Sequence, residues 1–177
     1  MTIIAASTPF PESYWVTPDL LMAGEYPVRY DELESRRRIQ ALIRLGLTNF
    51  IDLTHPNDCM PRYNLVLEDE ANGYLKKASY SHFPIQDRSI PTVKQMIEIL
   101  DEIDHRVSKK EPVYVHCIAG HGRTGTVVGC YLIRHGVEPQ NFLQEIQKLR
   151  SLVPSRWARS PEADEQVEFV LAWKNGQ

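Results

Sequence analysis

Apolar positions along this chain fall into blocks whose period switches between helical and extended. Over residues 33–47, Leu33, Ile39, Leu42, Ile43 and Leu45 flank Arg36, Arg37 and Arg38, a pattern that predicts an amphipathic helix ending at Gly46. Asn49 to Leu53 predicts a short buried strand and Ser81 to Ile85 another. In residues 91–107, Val93, Met96, Ile97, Leu100, Ile103 and Val107 make one helical stripe, and Thr92 with Gln95 has capping-box spacing. Pro112 to His116 is β-branched and aromatic, which predicts a buried strand. A helix over 124–135 stops at Gly136 and is apolar on most sides, so it belongs at the centre. Two more helices close the chain. Residues 139–150 gather Phe142, Leu143, Ile146 and Leu149; residues 161–174 gather Ala163, Val167, Val170 and Leu171, with Ser160 as N-cap and Pro161 at the first helical position. Residues 54–78, polar and punctuated by Pro56 and Pro61, predict no definite element, and residues 1–13 read as a loose lead-in rich in Pro, Ser and Thr. Strands alternating with helices predict an α/β fold, a mainly parallel central sheet flanked by helices, as a single domain over residues 14–177.

The length of 177 residues suits one domain with a core of its own. A net charge of −3 argues against a general nucleic-acid or anionic-membrane binder, but not against a small anion site made by local donors. The chain lacks the run of about 18 apolar residues that a transmembrane helix needs. Met1 to Pro11 carries no basic residue and does not read as a signal peptide. The three cysteines, Cys59, Cys117 and Cys130, argue against a disulfide framework, so a reduced cytoplasmic setting and a monomer are expected. No metal-ligand cluster is visible, and no cofactor is expected.

The stretch Val115 to Gly125 (Val-His-Cys-Ile-Ala-Gly-His-Gly-Arg-Thr-Gly) lies between a predicted strand and a predicted helix. A short loop there can curl so that successive amides point inward, and the helix opening near Arg123 adds its unpaired N–H groups and the positive end of its dipole. Gly120 and Gly122 permit the curl, and Arg123 can present a planar fork to two phosphate oxygens. Cys117 sits where these donors converge. An ordinary thiol with a pKa of about 8.5 is only about 3% ionised at neutral pH. Helix N-termini and neighbouring arginines lower that value by several units, so the cradle that binds phosphate also makes the nucleophile.

Residues 116–124 fit His-Cys-x-x-Gly-x-Gly-Arg-Thr at every position, and the segment resembles the signature loop of the cysteine-dependent protein tyrosine and dual-specificity phosphatases. Trp15 to Pro27 is similar to the entry segment of that family, and the order of elements resembles its small dual-specificity-like members. The resemblance implies an attack on phosphorus by Cys117 that forms a phosphocysteine. It implies phosphate held by Arg123 and by the loop residues Ile118, Ala119, Gly120, His121 and Gly122. His116 would support the loop, and the Thr124 hydroxyl would donate to the cysteine sulfur. The family's general acid lies on a loop about thirty residues before the cysteine, which implies Asp87, in Phe83-Pro84-Ile85-Gln86-Asp87. The family's Trp-Pro-Asp triplet is absent. Where the larger tyrosine phosphatases carry a water-positioning glutamine, Glu162 stands, with Gln166 one helical turn later, and neither is assigned a role.

Gly120, Gly122 and Gly125 also match G-x-G-x-x-G, the dinucleotide-binding fingerprint. A second helix at 139–150, the shortness of the remaining chain and the unexplained pair Cys117 and Arg123 oppose it. Cys130 and Cys59 read as structural. His121 is a loop side chain facing the mouth of the site or simply solvated. Arg156 and Arg159 either reach a phosphosubstrate or form a solvated basic turn. The variable loop positions Ile118, Ala119 and His121 lack the lysines of phosphoinositide phosphatases. The expected partner is therefore a phosphoprotein or phosphopeptide, dephosphorylated at tyrosine and also at serine or threonine. A phosphoinositide phosphatase and a non-catalytic phosphate-binding module remain the alternatives.

Overall fold

The computed structural model describes residues 8–177. Five strands form one sheet: β1 (Ser13–Thr17), β2 (Leu21–Gly24), β3 (Asn49–Asp52), β4 (Ser79–His82) and β5 (Val113–His116), in the spatial order β1-β2-β5-β3-β4. The β1–β2 pair is an antiparallel hairpin, and the other three pairings are parallel, as the alternating pattern predicts. The helices are α1 (Glu32–Arg44), α2 (Asn64–Gly73), α3 (Val93–Ser108), α4 (Arg123–Arg134), α5 (Phe142–Leu149) and α6 (Asp164–Leu171), with 3-10 turns at Pro56–Asp58 and Pro139–Asn141. Among the described residues no helix is long and apolar enough to cross a membrane.

The period of two along each strand sorts side chains onto two faces. Met22, Phe50 and Tyr114 pack with Ile39, Leu42 and Ile43 of α1 and Leu67 and Ala71 of α2. Leu21, Ala23, Ile51, Val113 and Val115 point the other way, into a larger core filled by α3 to α6. Strand β5 is central, with Val115 opposite both Ala23 and Ile51. All of its residues are buried, which is what a near-continuous apolar strand in a parallel sheet requires. Helix α4, expected at the centre, buries ten of its twelve residues.

Strands β1 and β2 lie where the sequence pattern predicts no strand, and four other segments differ from their expectation. Strand β4 starts two residues earlier, at Ser79; beyond His82 the chain still bonds alongside β3, through Phe83 N to Asp52 O at 2.9 Å and Ile85 N to Leu53 O at 3.2 Å. Helix α2 fills a stretch without a legible pattern, because only Leu67 and Ala71 are buried and no side chain caps its start. The last helix begins at Asp164, so Ser160 is not its N-cap: the Ser160 hydroxyl donates to His121 O at 2.8 Å. Of the lead-in, residues 1–7 lie outside the described residues. Phe10 is buried, its ring 3.8 Å from the Arg38 guanidinium, and Ser13 already opens β1.

Ile133 is fully buried between α4 and its neighbours. Truncation to alanine should lower unfolding free energy by about 2–5 kcal/mol, read from urea midpoints; an unchanged midpoint would contradict the burial.

Candidate active site

The pleat of β5 places two adjacent residues in different surroundings. His116 turns toward the α1/α2 face, among Tyr26, Tyr63 and Tyr114, with ring centroids 5.1, 5.6 and 5.5 Å away. Cys117, the next residue, belongs to the opposite core and reaches the floor of a cleft. His116 is fully buried, and burial holds its pKa below the ordinary histidine value, against the opposing pull of Asp52. Its Nδ1 lies 3.3 Å from Cys117 O, which can only accept, so Nδ1 carries the proton. Nε2, 2.5 Å from the Tyr63 hydroxyl, must then accept, and burial pushes Tyr63 far above its ordinary range so that it stays a donor. The chain Tyr63–His116–Cys117 carbonyl fixes the backbone from which the cysteine projects.

From Cys117 the chain curls through residues 118–122 into α4. Gly120, at φ +76°, packs so closely on the end of β2 that a Cβ would stand 2.6 Å from the Gly24 carbonyl carbon. The Tyr26 amide donates to Ile118 O at 2.8 Å and ties the loop to the segment after β2. Among the described residues the amides of residues 118–122 meet no intramolecular acceptor. They remain available to an anion, next to the N-terminus of α4.

Arg123 opens α4 with its side chain 1% exposed. One terminal nitrogen, Nη1, donates to Asp58 Oδ2 at 2.5 Å and to Ile85 O at 2.9 Å; Nη2 donates to Asp87 Oδ1 at 3.0 Å. Its Nε is buried and has no partner. An unsatisfied charged donor in the interior is expensive unless a ligand completes it. Thr124 Oγ1 is likewise buried and unpartnered, so the expected bond from Thr124 to the cysteine sulfur is not made in this structure.

Cys117, Ile118, Ala119, Gly122, Arg123, Asp87 and Glu162 line a cleft of about 160 Å³. Of the loop residues expected around a phosphate, Gly120 and His121 do not line it. His121 turns away from the mouth, its Nε2 lying 2.7 Å from Ser155 Oγ. Asp87 stands on the loop between β4 and α3, more than half exposed, and that loop is tethered at three points. Besides Asp87 itself, Arg88 Nη1 reaches Glu162 Oε1 at 3.0 Å, and Gln166 Nε2 donates to Ser89 O at 3.1 Å. Gln166 Oε1 accepts from the amides of Glu162 and Ala163, so one buried amide side chain joins the start of α6 to the Asp87 loop. Sequence reasoning missed Asp58. It lies on the 3-10 turn after β3, 65 positions from Arg123, and its own Oδ2 also accepts from His55 N. Nothing local marks it.

A cysteine, a set of free amides, a buried guanidinium and an exposed carboxylate meet at the carboxyl end of a central parallel strand, the arrangement expected of the cysteine-based protein tyrosine and dual-specificity phosphatases. The family model described as "Swiss Army Knife protein, DSP-PTPase phosphatase domain" matches residues 11–168, and the chain belongs to that family. It is 38% identical over 94 residues to an uncharacterized protein of Methanocaldococcus jannaschii, covering 52% of this chain and 53% of that one. It is 30% identical over 132 residues to the Arabidopsis thaliana "Phosphatidylinositol 3,4,5-trisphosphate 3-phosphatase and protein-tyrosine-phosphatase PTEN1", covering 71% of this chain and 30% of that one. The chain thus spans about half of the first relative and under a third of the second. The crystal structure of Tk-PTP in its active form superposes with a TM-score of 0.72 over 91% of this chain and 95% of that one; at 23% identity this likeness concerns the fold.

Two outcomes follow from the buried groups. Removing Asp58 leaves part of a buried guanidinium unpaired, so Asp58→Ala should cost about 3 kcal/mol of stability and lower kcat/KM for an aryl phosphate. Unchanged stability and rate would show that Arg123 does not need it. An unfolded histidine takes up a proton near pH 6.5, whereas His116 resists it, so its contribution to stability is lost as pH falls below that value. His116→Asn should therefore show a smaller fall in Tm between about pH 7.5 and 5.5 than the parent; equal falls would remove His116 as a source of acid sensitivity.

Proposed function

We propose that the chain hydrolyses phosphomonoesters of proteins, at phosphotyrosine and also at phosphoserine or phosphothreonine, through a phosphocysteine. The observation that carries this reading is the set of unpaired donors, Arg123 Nε and the amides of residues 118–122, beside Cys117 in one narrow cleft. Phosphate oxygens complete these donors. The Cys117 sulfur, as thiolate, forms a bond to phosphorus while the bond from phosphorus to the ester oxygen breaks. Asp87, carrying a proton at that stage, gives it to the departing oxygen. A water then attacks the phosphocysteine, Asp87 takes up its proton, and inorganic phosphate and the Cys117 thiolate are restored. The negative charge spread over the equatorial oxygens is met by fixed dipoles and by Arg123 throughout.

Asp87 starts on the Arg123 fork. Phosphate competes for Nη2, so substrate entry displaces the carboxylate toward the leaving group, and the tethers at Arg88 and Ser89 limit how far it swings. Two carboxylates, Asp87 and Glu162, line the cleft, and among the described residues Arg123 is its only cationic side chain. That balance suits a single phosphate on a protein better than a multiply phosphorylated inositol. A phosphoinositide substrate is the second reading, favoured by the name of the plant relative.

Para-nitrophenyl phosphate should be turned over by the reduced protein. Cys117→Ser should lower kcat by at least about 10³-fold while leaving phosphate affinity. Asp87→Asn should slow esters with poor leaving groups by about 10²-fold and activated aryl esters much less. Retained turnover in Cys117→Ser would remove the sulfur as nucleophile. A panel of phosphopeptides and phosphoinositides separates the two substrate readings, since turnover confined to the lipids would overturn the first.

A further inference from the structure

The loop joining α5 to α6 runs beside the phosphate loop and is held rigidly. Arg150, 3% exposed, donates from Nη1 to Ala158 O at 2.8 Å and from Nη2 to Ser155 O at 3.1 Å. Ser155 N donates to Glu12 Oε1 at 2.9 Å, and its hydroxyl is bonded to Glu12 as well. His121 contacts Ser155, and Ser160 contacts the carbonyl of His121, so two hydrogen bonds lock this loop to the cradle around Cys117.

On that fixed support the outer face carries a side chain that folding does not bury. Trp157 is 80% exposed, with the Arg156 guanidinium 5.1 Å from its ring. Beside it opens a groove of about 210 Å³. Leu143 and Ile146 give it an apolar wall, and Arg150, Arg156 and Arg159 surround it, with no carboxylate in the lining among the described residues. Arg159 is paired with Asp164 at 2.5 Å, whereas Arg150 and Arg156 have no carboxylate within ion-pair distance among the described residues. A chain of net charge −3 thus concentrates three guanidinium groups and one exposed indole around a loop that is hydrogen-bonded to the phosphate loop at His121.

We propose that this groove is a substrate subsite that takes an acidic side chain flanking the phosphorylated residue. The stem of that side chain lies against Trp157 and Leu143, and its carboxylate faces the arginines while the phosphate occupies the Cys117 cradle. The occupant is a peptide and not a bilayer, because the feature is a recess with a buried guanidinium at its base, and only two arginines stand at its rim. A membrane-binding face is broad and carries many basic residues. The inference rests on the protein-phosphatase reading and names the substrates that reading would favour.

The test uses two phosphotyrosine peptides that differ only in carrying Glu or Gln on both sides of the phosphotyrosine. The Glu peptide should show a kcat/KM about tenfold higher at low salt, and the preference should shrink as salt rises. In a Trp157→Ala/Arg156→Ala variant the preference should vanish while para-nitrophenyl phosphate turnover is unchanged. Arg156→Glu should shift preference toward Lys-flanked peptide. Equal rates for both peptides would overturn the groove and leave the protein-phosphatase reading standing. Aryl phosphate turnover with neither peptide hydrolysed would instead overturn that reading and the subsite with it. A preference retained in the double variant would place acidic recognition elsewhere. Binding to phosphatidylserine vesicles that is lost in Trp157→Ala, with no flank preference, would assign the patch to a bilayer and overturn the subsite.

Discussion

A guanidinium buried to near completion cannot be left without partners, and the organisation around Arg123 follows from that constraint. Asp58, the Ile85 carbonyl and Asp87 each satisfy part of it, which draws the turn after β3 and the loop after β4 onto the start of α4. What those partners leave over, the unpaired Nε and the free amides of the preceding loop, is a recess lined by hydrogen-bond donors without acceptors. The chain is acidic overall, yet the donors gathered here do not depend on net charge. They are held where water cannot screen them.

The sheet makes that recess stiff. Because alternate residues of β5 face opposite cores, His116 is anchored in one layer by Tyr63 while Cys117 emerges into the other. Cys117 is therefore positioned by packing on both sides of a central strand. The Asp87 loop, anchored in the core by Ile85, bonds to Arg123, Glu162 and Gln166 from three directions and leaves Asp87 itself more than half exposed.

One fold can carry different specificities, so what surrounds the cradle matters as much as the cradle. Here the surroundings are two carboxylates at the cleft and an arginine-lined groove beyond Ser155, separated by the loop that His121 and Ser160 hold.

Local pattern was enough to reveal the strands at Asn49 and Pro112, the helices around Leu100 and Val128, and the loop carrying Cys117 and Arg123. Burial of one face and the turn chemistry of glycine act over a few residues. Helix α2 escaped because two buried residues make no stripe, and Ser160 was misread because its hydroxyl serves a carbonyl 39 positions away instead of the next helix. The partnership of Asp58 with Arg123, the turning of His121 toward Ser155, the tether from Gln166 to Ser89 and the gathering of Arg150, Arg156 and Trp157 beside the cleft were decided only by the tertiary structure. Each joins groups distant along the chain, and no periodicity within one segment encodes which remote polar group will meet a buried donor. The sequence by itself determined the chemistry of the cradle; its supports, and the surface a substrate meets around it, came from packing.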